Sequence, residues 1–243
     1  MIELSEPLVV LDGVSRRFAR RGAEQLAVSA VDCAVFDRQS IALVGPSGSG
    51  KSTLLHLLGG LDSPSDGTIR WPALGTCATL RPRLISMIFQ GPSLVPAFTV
   101  LQNVALPLVM LGIEQDQADA RASAALAAFG VDHLGSKLPE EISGGQAQRV
   151  SIARAMVTQP RLVLADELTG QLDSTTARVV MDQLIHQLGE TGAAMVLATH
   201  DRSLANRFDI RWTMQDGHLD SGLVAANPEP ELLAARAGDE VLT

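Results

Sequence analysis

The chain has 243 residues, 46% of them apolar, enough to bury one large α/β domain with a small appended subdomain. Its 19 Lys and Arg against 27 Asp and Glu leave a net charge of −8, which argues against non-specific nucleic-acid binding, so no nucleic-acid partner is expected. Cys33 and Cys77 supply neither a disulfide framework nor a metal-ligand spacing, which suits a reducing cytosol.

In chain order, the start Met1-Ile2-Glu3-Leu4-Ser5-Glu6 is acidic and lacks the basic start and apolar core of a signal peptide. Leu8–Leu11 reads as a strand, and the basic run of Arg16, Arg17, Arg20 and Arg21 as a solvated loop. Strands are expected at Ala27–Val35 and Ile41–Val44, a helix at Thr53–Leu58, and strands again at Thr68–Trp71 and Ile85–Phe89, the last ending in Gln90. From Thr99 to Thr158 the pattern turns helical. Val100–Leu111 is helix-compatible despite Pro107, and Gln115–Phe129 is Ala-rich with Leu126 and Phe129 on one buried face.

The longest apolar run, Val104–Ile113, is interrupted by Pro107 and falls short of the ~20 residues of a membrane span, so the chain is expected to be soluble by itself. Arg161–Ala165 (strand), Ser174–Leu188 (helix), Ala193–Ala198 (strand) and late strands at Ile210–Met214 and Leu219 follow. Strands alternating with helices predict a mostly parallel sheet covered on both faces. The expected organisation is one domain over 1–220, with a core of about 1–92 and 159–220 and a helical insert of about 93–158; residues 221–243, rich in Ala, Pro and Glu, should fray.

Gly45-Pro46-Ser47-Gly48-Ser49-Gly50-Lys51-Ser52 fits the phosphate-binding pattern G-x-x-x-x-G-K-[ST] at every specified position. It lies between the apolar strand Ile41–Val44 and the helix opening at Thr53, a context that a flexible Gly-Ser linker does not have. Backbone N–H groups there can curl around a phosphate chain at a helix N-terminus. Lys51 adds a positive charge near the β and γ phosphates, and the Ser52 hydroxyl can ligate Mg²⁺.

Leu162-Val163-Leu164-Ala165-Asp166-Glu167 places two carboxylates after a buried strand, at the sheet edge where α/β proteins bind ligands. Alone, the pair would read as the acidic start of a helix. With the phosphate loop upstream, Asp166 reads as a Mg²⁺ ligand and Glu167 as the base that orients and deprotonates a water.

Ile142-Ser143-Gly144-Gly145-Gln146, continuing Ala147-Gln148-Arg149-Val150-Ser151-Ile152-Ala153-Arg154-Ala155, resembles the signature motif LSGGQ-x-QR-[VL]-x-[IL]-A-R-A of ATP-binding-cassette ATPases. A hydroxyl and two glycines at a helix start expose N–H groups to an anion. Ser143 and Gln146 also have the spacing of a capping box, and the two readings are compatible. The resemblance, which spans about Leu8 to Leu219, implies an α/β P-loop NTPase core with a mostly parallel sheet, an N-terminal antiparallel β part and an inserted α-helical subdomain. It also implies ATP and Mg²⁺ as cofactors.

Further positions take roles from the same resemblance. Phe18 matches the aromatic that stacks on adenine, where most members carry Tyr; this chain has no Tyr. Phosphate contacts extend from Gly45 through Thr53. Gln90 matches the glutamine that senses Mg²⁺ or the attacking water and contacts the transport partner. Leu172-Asp173 resembles the loop that crosses the dimer interface, and His200, in Ala198-Thr199-His200-Asp201, the switch histidine that contacts the γ-phosphate. Two copies would face each other head to tail, closing ATP between one phosphate loop and the other copy's Ser143, Gly144, Gly145 and Gln146. An integral membrane permease subunit would convert closure into work at the cytoplasmic face of the membrane.

Within the family, Gln90, Leu94-Val95-Pro96 and Thr99-Val100-Leu101-Gln102-Asn103-Val104 resemble the branch of lipoprotein-releasing, macrolide-exporting, antimicrobial-peptide-resistance and cell-division ATPases, whose permeases are FtsX- or MacB-like. Against that branch's ADEPTGNLDS, Leu168 replaces a proline and Gln171 an asparagine, and the stretch from Trp71 to Arg83 is short, without a charged helix. Two other outputs compete: a signalling complex controlling cell-wall enzymes without transport, and a nucleic-acid ATPase. The second is disfavoured by the lack of extended heptads and of a duplicated cassette.

Overall fold

Two long strands, β1 (Val9–Arg20) and β2 (Ala23–Val35), pair antiparallel, and β4 (Asp66–Arg70) joins the other side of β1 in a sheet ordered β2-β1-β4. The computed structural model describes residues 6–20, 23–168 and 172–221; Gln171, Arg21 and the tail beyond 221 lie outside them. The first strand therefore does not stop at Leu11, and Arg16 and Arg17 stand in the ladder rather than in a solvated loop. Register shifts between Leu11 and Arg17 carry consecutive residues Val14 and Ser15 both inward, which destroys the period-two signal that identifies a strand. The charges are compensated: Arg16 pairs at 2.8 Å with Asp62, in the segment before β4, and Arg17 pairs with Asp66 of β4.

The second sheet has six strands, ordered β5-β6-β7-β3-β8-β9. In it β3 (Ser40–Val44), β5 (Ile85–Ile88), β6 (Leu162–Asp166), β7 (Ala194–Thr199) and β8 (Ile210–Gln215) are parallel, while β9 (His218–Asp220) runs antiparallel to β8. All six residues of β7 are buried, as parallel strands covered on both faces require. Alternate residues divide between the faces. Leu162, Leu164, Val196 and Ala198 pack with Leu54, Leu55, Leu57 and Leu58 of α1 (Lys51–Leu58) and with the antiparallel sheet. Val163, Ala165, Met195 and Leu197 pack with α2 (Val100–Met110), α3 (Gln115–Ala128), α4 (Gly144–Met156) and α5 (Ser174–Thr191). Each fully buried Leu or Val contributes about 1.5–3 kcal/mol, so this division of apolar residues holds the layers in place. A short α6 (Arg202–Ala205) precedes β8.

The α/β architecture with an antiparallel N-terminal sheet is as expected. Where no charged helix is expected, Trp71 and Gly75 form an isolated bridge, a single 3-10 turn spans Cys77–Thr79, and the Trp71 indole N–H donates to Leu58 O at 2.9 Å. Strand order then positions the chemistry. β7 lies between β6 and β3, with Asp166 opposite Ala198 and Val44 opposite Thr199. The phosphate-loop segment, the two carboxylates and His200 thus leave the sheet side by side at one edge.

Candidate active site

The loop from Gly45 to Gly50 follows β3 and ends in α1. Glycine is required at its two ends by close approach. A Cβ on Gly45 would lie 2.1 Å from Met214 O, and one on Gly50, at φ +105°, 2.1 Å from Ala27 O. The ammonium of Lys51 donates to Gly45 O and Pro46 O, each at 2.9 Å, and is only 7% exposed. Two of its three donors close the loop on itself, leaving the third for a ligand.

A cavity of about 490 Å³ opens beside this loop. One end is walled by Phe18 and Ala19 of β1 and by Gln25 and Ala27 of β2; its middle by Ser47, Gly48, Gly50, Lys51, Ser52 and Thr53; its far end by Gln90, Asp166 and Glu167. Ala19, Gln25 and Ala27 were not legible as site residues, since no motif marks them and only the β1–β2 pairing brings them there. Gly45 and Pro46 line instead an adjoining cavity with His200, Arg202 and Arg211. Ser49 is buried, its hydroxyl without a hydrogen-bond partner.

At the acidic end Glu167 sits just past β6 at φ +49°, a left-handed conformation uncommon for a residue with a side chain, and its N–H donates to Ala198 O at 3.0 Å. Both carboxylate oxygens are engaged: the Gln90 amide donates to Oε2 at 3.0 Å, and His200 Nδ1 lies 2.9 Å from Oε1. An ionised carboxylate only accepts, so this contact is a hydrogen bond when His200 is the tautomer with its proton on Nδ1. The loop following Gln90 is held from two sides. Arg154 donates to Ser93 O and Ser93 Oγ, both at 2.9 Å, and burial lowers its pKa. The fully buried Asn103 accepts from Val95 N at 2.7 Å and donates to Val95 O, Phe98 O and Thr99 O.

The remaining candidates stand apart. Ser143, Gly144, Gly145 and Gln146 do not line the cavity; they form the start of α4, where Ser143 Oγ accepts from Gln146 N at 3.3 Å and Gln146 Oε1 from Ser143 N at 2.8 Å. This capping box leaves Ser143 and Gly144 exposed at the positive end of the helix. Asp173 also lies off the cavity and caps α5: its carboxylate accepts from Thr176 Oγ1, Thr176 N and Thr175 N. The Thr176 hydroxyl first, and its N–H second, hold the Asp173 carboxyl below its usual range.

These residues fit a magnesium nucleotide. Met214 O and Ala27 O back the loop so closely that only glycine fits at its two ends, Gly45 and Gly50, and Lys51 is the only cation on the cavity among the described residues. The Asp166 carboxylate and the Ser52 hydroxyl both face the cavity and make no hydrogen bond or ion pair with the described residues. Among those residues no group of three acidic, His or Cys side chains could hold a metal by itself. Two oxygen donors, from Asp166 and Ser52, suit Mg²⁺, which takes one or two protein ligands and completes its shell with phosphate and water.

The family model described as ABC transporter matches residues 28–170, and the chain belongs to that family, as a nucleotide-binding ATPase subunit of a transporter that works with ATP and Mg²⁺. It is similar to the lipoprotein-releasing system ATP-binding protein LolD of Shewanella oneidensis, 39% identical over 223 residues, which is 89% of this chain and 97% of the relative. LolD of Gluconobacter oxydans is 43% identical over 217 residues, covering 86% and 94%. Among solved structures, a dimeric structure of the MJ0796 cassette superposes with a TM-score of 0.82 and 31% identity. Its dimeric post-hydrolysis state bound to ADP and Pi gives 0.81 and 31%; both comparisons cover 87% of this chain and 96% of the other. No helix among the described residues is long and apolar enough to cross a membrane.

Proposed function

We propose that two copies of this chain close head to tail around ATP and drive a separate FtsX- or MacB-like membrane subunit for export or extrusion, from the cytoplasmic face of the membrane. The lipoprotein-release names of the similar proteins support this branch. The observation that carries the chemistry is the convergence of Gln90 and His200 on the two oxygens of Glu167, beside the phosphate loop. Residues 1–220 act as one nucleotide-binding domain in this reading, with about 93–158 as its helical subdomain.

Lys51 and the N–H groups of residues 45–53 bind the phosphates at the N-terminus of α1, and Phe18 stacks on the adenine. Ser52 and Asp166, with Gln90 near them, hold Mg²⁺. Bound there, the ion would supply positive charge against the phosphates and polarise the γ-phosphate. Glu167 accepts a proton from the attacking water. Its held orientation comes from Gln90 and His200, and each oxygen keeps a second acceptor site to which a water can donate. His200 then turns to the γ-phosphate. Ser143 to Gln146 of the second copy present a helix start to the same phosphate, while Leu172-Asp173 crosses the interface. The Asp173 carboxylate is also engaged at α5, which fixes its orientation at that crossing. Because both surfaces grip the γ-phosphate, its loss favours the open state, a population shift driven by differential affinity.

Capture of the tagged chain from detergent-solubilised membranes tests the assignment. A co-purifying membrane protein with few spans and a large external domain, which stimulates ATP hydrolysis when reconstituted, is expected. Activity that responds to nucleic acid and to no membrane protein would overturn it.

A further inference from the structure

The guanidinium of Arg16 lies 4.6 Å from the centroid of the Phe18 ring, two residues along β1. It is also locked: Nε donates to Asp62 Oδ2 and Nη2 lies against Oδ1, each at 2.8 Å, with both side chains only about a quarter exposed, 25% and 23%. Phe18 lines the nucleotide cavity and Arg16 does not, the arrangement expected of a cation on the ring's far face. Asp62 belongs to the segment that leaves α1, the helix that begins with Lys51 and Ser52. The same segment is fastened to β1 by Ser65 N to Ser15 O at 2.7 Å and by Arg17 N to Ser65 Oγ at 3.0 Å.

We propose that Arg16 is a positioning residue for the nucleobase, clamping the Phe18 ring from behind and tying it through Asp62 to the phosphate-binding helix. This rests on the reading of Phe18 as the stacking residue. A phenyl group has no hydroxyl with which to fix itself, and at 39% exposure Phe18 would otherwise sample several rotamers. A guanidinium that is itself held by a bidentate carboxylate removes that freedom and draws the ring's electron density toward its rear face. The clamp sets ring orientation before the base arrives, so its effect falls on the base and not on the phosphates.

The test compares ADP with inorganic pyrophosphate by calorimetry on the full chain, two ligands that need no hydrolysis. Arg16→Gln is expected to weaken ADP about two- to fivefold, the range of an exposed cation–π contact, and to leave pyrophosphate unchanged. Arg16→Lys should recover most of the loss, and Arg16→Gln should add nothing in a Phe18→Ala background. Should Arg16→Gln fail to fold, Asp62→Asn keeps the cation and loosens only its anchor; a smaller ADP-specific loss is expected, and none would overturn the clamp. Equal loss for both ligands, tighter ADP binding, or a loss that persists without Phe18 would also overturn it. If Phe18→Ala itself leaves ADP affinity unchanged, the stacking reading and the clamp fall together. If Phe18→Ala weakens ADP while Arg16→Gln does not, only the clamp is lost.

Discussion

His200 Nδ1 stands 2.9 Å from Glu167 Oε1, across the gap between the C-terminal ends of the neighbouring strands β7 and β6. The contact joins the proposed base to the residue proposed to sense the γ-phosphate, so a turn of His200 releases one restraint on Glu167. On the other oxygen Gln90 plays the same part from β5. The carboxylate is therefore restrained from both sides before any water is placed.

Glu167→Gln should bind ATP, lose turnover by about 10²- to 10⁴-fold, the range of general-base catalysis, and accumulate as an ATP-bound dimer. Size-exclusion chromatography with ATP present and a phosphate-release assay check both halves. Hydrolysis near that of the unmodified chain would remove Glu167 from the role of base.

Lys51→Ala removes the charge proposed to face the phosphates and also two hydrogen bonds that close the loop. A charged hydrogen bond is worth about 1.5–3 kcal/mol, so nucleotide affinity should fall by roughly ten- to a hundredfold, together with turnover. Unchanged affinity in an equilibrium titration would contradict the phosphate-loop assignment.

Ser143→Arg adds bulk and charge at the exposed start of α4, away from the chain's own cavity. It should block dimer closure while sparing nucleotide binding to the monomer. Mixed with Lys51→Ala, it yields heterodimers in which one composite site joins an intact loop to an intact signature. ATP-dependent crosslinking should then exceed that of either parent. Mixed dimers that form but show no such gain would exclude a site built in trans.

Asn103→Ala should lower stability by about 0.5–1.5 kcal/mol for each hydrogen bond lost, because it removes the partners of the part-buried Val95 N and Phe98 O. The denaturant midpoint measures this, and because that loop follows Gln90, turnover should fall too. An unchanged midpoint would mean that the loop does not depend on Asn103.

Only Cys77 should react with a thiol reagent in the folded chain, and both cysteines after denaturation. Burial first, and the Asp32 charge second, push the Cys33 thiol from an ordinary 9.0 up to about 12. The unfolded chain therefore releases this proton earlier than the folded one. Cys33 stabilises the fold fully below pH 9, and that contribution declines as pH rises from 9.0 toward 12. A Cys33→Ala chain should lose less stability across that alkaline range, as thermal melts at stepped pH would show.

Local requirements made much of this protein legible before any tertiary contact was known. A loop that wraps a phosphate needs glycines at fixed places, a buried parallel strand needs an unbroken apolar run, and a helix start that presents its N–H groups needs a cap; residues 45–52, 162–167 and 143–146 satisfy these within a few positions each. The extent of β1 was hidden, because bulges between Leu11 and Arg17 scramble the alternation by which a strand is recognised. Nor does spacing along the chain say that Asp173 directs its carboxylate to Thr175 and Thr176, or that Asp62 anchors the arginine behind Phe18. Such contacts join residues whose partners are chosen by packing. The meeting of Gln90, Glu167 and His200 was decided by strand order alone: β5, β6 and β7 lie side by side, so three side chains separated by up to 110 residues leave the sheet within hydrogen-bonding distance of one carboxylate.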